Sequence, residues 1–357
     1  MKRRRIFISA GFWIGLSLSL AHPVNSWADA MPAPQLNTGD DVSLIAGDPN
    51  HFSAFAQELP ETLSRMPAID PESGLHVSEV KPGLFYVTEG VYQSAFLTTD
   101  DGVIVFDAPP SFAHKLLSAI RQHAPGKAIR YLVYSHGHHD HIGGSGVFED
   151  IEELEIVAHE DIAESIAANG RPGILAPTET FDVSHKISFG GELVKLAPAS
   201  FHSEDVDTII YLPRQKFLIA VDSITPGEVP FMNFGATSDV GAYIAFFDTI
   251  LEFDFDTILS GHVSVLGGRD DVIVAREYAH DVRETVSRGM TTFLDRFDVM
   301  FQKFNHENAN LAYRATIEAV RRECAAEIID RWKGRLSVVD VWADSHCQTM
   351  ILHSIMH

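Results

Sequence analysis

Between residues 75 and about 268 the apolar positions change period repeatedly, short β-branched runs alternating with helical stretches. Leu84–Thr88, Ser94–Thr98 and Val103–Phe106 are rich in β-branched or aromatic residues and bounded by turn formers, and they predict strands. From Phe112 to His123 the period lengthens, with Ala113, Leu116, Leu117 and Ile120 on one face of a predicted helix. Ile129–Tyr134 is a short apolar strand that runs directly into a histidine-rich loop. Thr208–Leu212 and Phe217–Val221, separated by Pro213-Arg214-Gln215, predict a hairpin. A helix over Val240–Phe253 and a short strand at Thr257–Leu259 follow, and from Asp270 to about Arg335 the pattern is mainly helical. No internal repeat or low-complexity segment interrupts this order.

The flanking segments divide the rest. Residues 1–30 read as an export signal: Met1–Arg5 is basic, Ile6–Ala21 is uncharged and too short for a comfortable transmembrane helix, and Ala28-Asp29-Ala30 offers a small-x-small cleavage pattern after Pro23. Arg4-Arg5-Ile6-Phe7-Ile8 also resembles a twin-arginine signal, with Arg3 rather than Ser or Thr before the pair. The expected location is periplasmic or secreted, and the alternative is a retained anchor helix. Residues 31–74 read as an N-terminal arm with a helix-like stretch near Phe52–Arg65, residues 75–268 as the main α/β domain, and residues 269–357 as a helical C-terminal extension.

Composition narrows the function classes. The chain has 357 residues, 45% hydrophobic and 21% charged, which excludes a collagenous or largely disordered protein. Its formal charge of −22 argues against nucleic acid and against an anionic membrane surface as partners, which leaves a small-molecule substrate. Removing residues 1–30 takes away four basic residues and Asp29 and leaves 23 basic against 48 acidic residues, a charge of −25. The two cysteines, Cys324 and Cys347, form a disulfide or stand as separate thiols; the sequence leaves both open.

The chemistry gathers at strand ends. Ser135-His136-Gly137-His138-His139-Asp140-His141 follows an apolar strand, and in an extended loop His136 and His138 point the same way. Asp140 and His141 lie on the turn that follows and can face a second point, and Gly143 and Gly144 let the backbone pass close by. Imidazoles with carboxylates suit zinc or a similar divalent ion. One cluster cannot complete two coordination spheres, and His202, Asp222 and His262 each follow a further strand-like run. Open α/β sheets collect functional groups at one edge of their strands.

Over roughly residues 75–268 this arrangement resembles the metallo-β-lactamase superfamily. His136-x-His138-x-Asp140-His141 matches the HxHxDH loop of that family, His202, Asp222 and His262 match its later ligand positions, and Asp107 matches its early buttressing aspartate. The resemblance implies an α/β fold, a four-layer αββα sandwich. It implies two zinc ions per chain, or another divalent metal: His136, His138 and His202 on one, Asp140, His141 and His262 on the other, Asp222 bridging. It implies that a shared hydroxide attacks a carbonyl carbon, with Asp140 as the catalytic proton carrier.

Within the family the residues favour one branch. A flavodiiron-type oxidoreductase carries a carboxylate where His138 stands, nuclease members carry basic surface, and zinc β-lactamases have Cys or Ser in the region of Asp222. Asp222 resembles the glyoxalase II and lactonase branches, and the basic glutathione-binding tail of a thioesterase is not found. The expectation is an exported two-zinc hydrolase of esters or lactones. The alternatives are a β-lactamase-like amide hydrolase and a non-catalytic metal-dependent accessory protein.

Several residues carry a plainer expectation. His139 lies off the ligand pattern, His159 resembles a strand-end histidine common in the fold but is read as structural, and Tyr134 and Ser135 are read as packing. The acidic run Glu149–Glu153 is read as a solvated face. Phe231 and Phe234 divide between pocket wall and core. The C-terminal extension is a candidate for capping the active-site face or for a homodimer surface, with packing as the default. His346, His353 and His357 have no second ligand pair at fixed spacing.

Overall fold

The computed structural model describes residues 59–202 and 206–357; the expected export signal and most of the expected arm lie outside the described residues. The first strands alternate apolar side chains between two faces, and seven of them pair side by side in chain order: β1 (His76–Lys81), β2 (Leu84–Thr88), β3 (Gln93–Thr98), β4 (Val103–Phe106), β5 (Ile129–Val133), β6 (Glu155–His159) and β7 (Glu179–Phe181). Pairing is antiparallel through β4 and parallel from there on. A second sheet holds β8 (His185–Phe189), β9 (Glu192–Ala199), β10 (Asp207–Leu212), β11 (Phe217–Ile219) and β12 (Thr257–Leu259), in the order β12-β11-β10-β9-β8.

The period-2 alternation of each strand decides the layers. On β4, Ile104 and Phe106 face the second sheet, where they meet Leu196, Ile210 and Phe217. Val103 and Val105 face the other way, onto α2 (Ala113–His123), whose Leu116, Leu117 and Ile120 form its buried stripe as predicted, and onto Ile162 and Ile166 of α4 (Glu160–Asn169). The short helices α1 (Pro60–Arg65) and α3 (His139–Ile142) lie at the periphery and at the histidine loop. On β11, Phe217 and Ile219 face the first sheet, and Leu218 faces outward.

That outward face is covered by α5 (Val240–Glu252), α6 (Arg269–Met290), α8 (Ala309–Trp332) and α9 (Val339–Met356), with α7 (Phe293–Lys303) beside them. Phe247, Tyr278, Val282, Ile328, Trp332 and Met350 close over Leu218 and Ile258, each such side chain contributing about 1.5–3 kcal/mol by leaving water. The result is the four-layer αββα sandwich with a helical C-terminal region that the resemblance implies. Among the described residues no helix is long and apolar enough to cross a membrane.

Two features go beyond the sequence pattern. Cys324 of α8 and Cys347 of α9 are joined in a disulfide inside this core. Helix α9 itself has no one-sided apolar stripe, because Ala343, His346, Cys347, Met350 and Ile351 are buried on several sides, so its periodicity was invisible.

His346 is the polar member of this core. Its Nε2 donates to the Phe231 carbonyl at 3.1 Å, and its Nδ1 accepts from the Tyr278 hydroxyl at 2.7 Å, so the ring is neutral and satisfied. Burial pushes it down to about 4. An unfolded histidine takes its proton below about 6.5, so between those values the unfolded chain binds the extra proton and stability falls as pH drops. Urea unfolding across that window is expected to show the native protein losing about 3 kcal/mol more than His346→Gln. Parallel curves for the two proteins would contradict the assignment.

Candidate metal centre

Four strand ends from both sheets meet at one edge of the sandwich. The loop after β5 supplies His136 and His138, and α3 turns Asp140 and His141 toward the same point. His202 follows β9, Asp222 follows β11 and His262 follows β12. The seven predicted residues converge in two groups, His136, His138, His202 and Asp222 in one and Asp140, His141 and His262 in the other, with ligand atoms in each group within 4.8 Å of one another. Asp222 touches both. Its Oδ2 lies 3.4 Å from His136 Nε2, 3.6 Å from His202 Nδ1 and 3.3 Å from His141 Nε2, and its Oδ1 lies 3.2 Å from His262 Nε2.

The donor set fits a divalent cation. His202 Nε2 is 2.6 Å from the Gly235 carbonyl, so that nitrogen carries the proton and Nδ1 presents its lone pair toward a carboxylate. Among the described residues, His202 Nδ1, His136 Nε2 and Asp222 Oδ1 are buried without a hydrogen-bond partner. His141 Nε2 and His262 Nε2 stand 3.2 Å apart, each 3.5 Å from Asp140 Oδ2. Acceptors facing acceptors at these distances are satisfied by cations between them, and nitrogen and carboxylate oxygen ligands suit zinc.

The charges are tuned accordingly. Burial opposes charge on His141, but Asp222, Asp140 and Asp107 outweigh it and push that ring up to about 9. His136 is pushed down to about 3, by burial above all. Burial also resists the Asp222 carboxylate, yet His141, His136 and His202 hold it well below the usual carboxylate range.

A model of the metallo-β-lactamase superfamily matches residues 87–262, from β2 to the last of the seven converging residues. Residues 87–262 belong to the metallo-β-lactamase superfamily. It is 28% identical over 210 residues to the 2,4-dinitroanisole O-demethylase subunit alpha of a Nocardioides species, covering 57% of this chain and 62% of that protein. It is 24% identical over 221 residues to a linear primary-alkylsulfatase of a Pseudomonas species, covering 48% of this chain and 41% of that one. The chain thus spans about three-fifths or less of the length of these relatives. A solved metallo-β-lactamase from Pontibacter korlensis shares the fold, with a TM-score of 0.50 at 18% identity over 57% of this chain and 99% of that structure.

The superfamily loop is held by residues with little solvent and much strain. Asp107, buried after β4, accepts from Ser135 N at 2.8 Å, in keeping with its expected buttressing place. Asp107, Asp222 and Val263 all adopt left-handed backbone, the last a β-branched residue for which this is an outlier. Gly261 is the glycine that matters to the site: a Cβ there would fall 2.5 Å from Val221 Cγ1 and 3.0 Å from His141 Cε1. Gly144, expected to relieve the site, instead makes room for Ala113 of α2, whose Cβ would be 2.5 Å away.

Four residues were missed from the sequence. Asp207, buried at the head of β10, accepts the backbone N–H groups of Phe201 and His202 at 3.2 and 3.0 Å. Gln93, buried on β3, ties the two sheets: its Oε1 accepts from Ser260 and Gly261 N–H at 3.2 Å, and its Nε2 donates to Val263 and Val265 carbonyls at 2.6 and 3.0 Å. Tyr92 lies with its ring 4.8 Å from that of His262. Trp342 of α9 reaches the site from the far C-terminal helix. A polar residue opening an apolar strand, as Gln93 does, was the one available signal.

Over the cluster opens a cavity of about 530 Å³, lined on one side by His138, Asp140, His202, Asp222 and His262 and on the other by Ile224, Val229, Pro230, Phe231, Val263 and Trp342. Phe231 and Phe234 part company: Phe231 is 55% exposed and lines the cavity, whereas Phe234 is buried against Tyr243 and His346. His139 is exposed and outside both groups, and His159 is buried, capping α4 and contacting the Asp182 carbonyl. Glu149 to Glu153 present their acids to solvent.

The Gln93 amide uses all four of its hydrogen-bonding positions, so Gln93→Leu strands two carbonyls and two N–H groups beside His262. The expected loss is about 2–4 kcal/mol in chemical unfolding. An unchanged midpoint would show that the His262 loop is held by other means.

Proposed function

We propose that this protein is an exported two-zinc hydrolase of esters or lactones whose substrates are neutral and apolar, closer to the glyoxalase II and lactonase branches than to true β-lactamases. The observation that carries this is the Asp222 carboxylate, which touches ligand nitrogens of both groups and is therefore placed to bridge two ions. Bound divalent ions would supply a water made acidic enough to react near neutral pH and Lewis-acid polarisation of a scissile carbonyl.

The chain's own residues do the rest. Asp140 is partly open to the cavity, and burial raises it less than His262 and His141 lower it, so its carboxylate stays ionised. In that state it accepts a proton from the attacking water and passes it to the leaving group. Phe231, Trp342, Ile224 and Val229 take the apolar portion of the substrate and exclude water from the reacting bond. Among the described residues, Asp140, Asp222 and Glu228 line the same cavity, and neither lysine nor arginine does. A substrate with a carboxylate away from its reacting bond, as a β-lactam has, meets neither lysine nor arginine among these residues.

Export is supported by the leader-like residues 1–30 and by the Cys324–Cys347 disulfide, which suits an oxidising compartment. A second reading, cleavage of an activated aryl ether, is favoured by the relative named for 2,4-dinitroanisole and by the aromatic cavity wall.

The test is a side-by-side assay of the zinc-loaded protein on an acyl lactone, an aryl ester, a nitroaryl methyl ether, an alkyl sulfate and a cephalosporin, each with a chelated control. Chelator-sensitive turnover of lactone or ester with a silent cephalosporin is expected. Turnover confined to the ether would move the protein to the second reading, and a cephalosporin cleaved fastest would overturn both. Asp222→Ala should lower metal content toward one equivalent and cut turnover by about 10²-fold or more. Asp140→Asn should lower kcat far more than it changes KM, and an unaltered kcat would remove its proton role.

A further inference from the structure

We propose that helix α9 is a clamp that sets the orientation of His202, and that the Cys324–Cys347 disulfide keeps this clamp seated. Its link to a metal rests on the reading of His202 as a ligand.

Between the cavity wall and α5 the chain makes an unusual turn. Asn233, Phe234, Gly235 and Ala236 are all left-handed, and three of these four are not glycine. Isolated left-handed residues occur at caps and turns, but a run of four persists only where the surroundings hold it. The carbonyl of Gly235, in the middle of this run, is the group that accepts from His202 Nε2 at 2.6 Å. A second hydrogen bond of this kind fixes which ring nitrogen of a ligating histidine faces the metal and how the ring is turned. If the turn relaxed to right-handed or extended backbone, that carbonyl would swing away and His202 would lose the contact that keeps the proton on Nε2 and the lone pair on Nδ1.

Helix α9 grips the turn at several points, beside Tyr243 of α5 and Tyr278 of α6, whose rings lie 5.9 and 6.4 Å from that of Phe234. Asn233 N donates to Ser345 Oγ at 3.1 Å, and the Thr349 hydroxyl donates to Asn233 Oδ1 at 3.1 Å. His346 Nε2 donates to the Phe231 carbonyl at 3.1 Å, and its ring lies 4.5 Å from that of Phe234. Trp342 meets Phe231 edge to face at 4.9 Å. Ser345, His346 and Thr349 flank Cys347, whose bond to Cys324 anchors this stretch of α9 to α8. The chain from disulfide to clamp to turn to imidazole is therefore continuous. All of α9 lies beyond the residues that match the superfamily, so the clamp is a property of this chain's C-terminal helices.

The mildest test removes both clamp hydroxyls in the double variant Ser345→Ala/Thr349→Val, which changes little volume. Amide exchange over residues 233–236 of the metal-free protein reads the turn, and ¹⁵N resonances of His202 read its tautomer. Cobalt titration, followed by visible absorption, reads the two metal positions separately. The variant should exchange at least tenfold faster in the turn, lose the single His202 tautomer, and bind cobalt about 10- to 100-fold more weakly at one position with the other unchanged. Cys347→Ser, or reduction of the native disulfide, should reproduce this pattern to a lesser degree. A variant with native exchange and a native His202 tautomer overturns the clamp, as does an equal weakening of both positions, which would mark general destabilisation. If the unmodified protein binds no cobalt, the metal reading fails, while exchange and tautomer still decide whether α9 orients His202.

Discussion

Five imidazoles and two carboxylates are held with their ligand atoms close together, several of them buried and without a hydrogen-bond partner among the described residues. Cations between these acceptors would satisfy the atoms that have no hydrogen-bond partner among the described residues. Much of the surrounding structure reads as a means of preventing the cluster from collapsing in any other way. Asp222, with ligand nitrogens from both groups around it, is where the constraint is tightest.

The scaffold answers by spending conformational strain at strand ends. Asp107 and Asp222 leave parallel-paired strands in left-handed backbone, a conformation that aspartate tolerates better than most residues, and Val263 does the same immediately after His262. Such residues hold their places because the strands behind them are packed on both faces. Gln93 completes the frame from the opposite sheet, since a carboxamide offers two donors and two acceptors and the His262 loop uses all of them. The centre therefore depends on the registration of two sheets that a backbone bridge between Tyr92 and His262 joins beside the site.

What the sequence made legible follows from chemistry that is local. Runs such as Val103–Phe106 and the stripe Leu116, Leu117, Ile120 carry their period within a few residues, and the structure forms the strand and helix they predict. The seven converging residues were legible because each stands just after an apolar run, and strand ends gather at one edge. Gln93, Asp207 and Trp342 were not, because their importance lies in partners 167, 5 and 111 positions away that only the fold brings near. The helical reading of residues 269–357 contains α9, whereas the disulfide stayed open for lack of any sequence measure of the Cys324–Cys347 distance.

The division between matched and unmatched residues has a physical meaning. The family match ends at His262, so it contains every one of the converging side chains but neither α8 nor α9. Yet Trp342 of α9 faces Phe231 across the cavity wall, and the same helix grips the left-handed turn whose carbonyl meets His202. Chemistry common to a superfamily can thus stay fixed in the sheets while the appended helices shape what reaches it. A wall built from an appended helix can change its side chains without disturbing strand register, because it packs on the outer face of the second sheet rather than between the sheets. The disulfide that secures this helix lies within that same outer layer, where it stiffens the wall and leaves the sheet interior untouched.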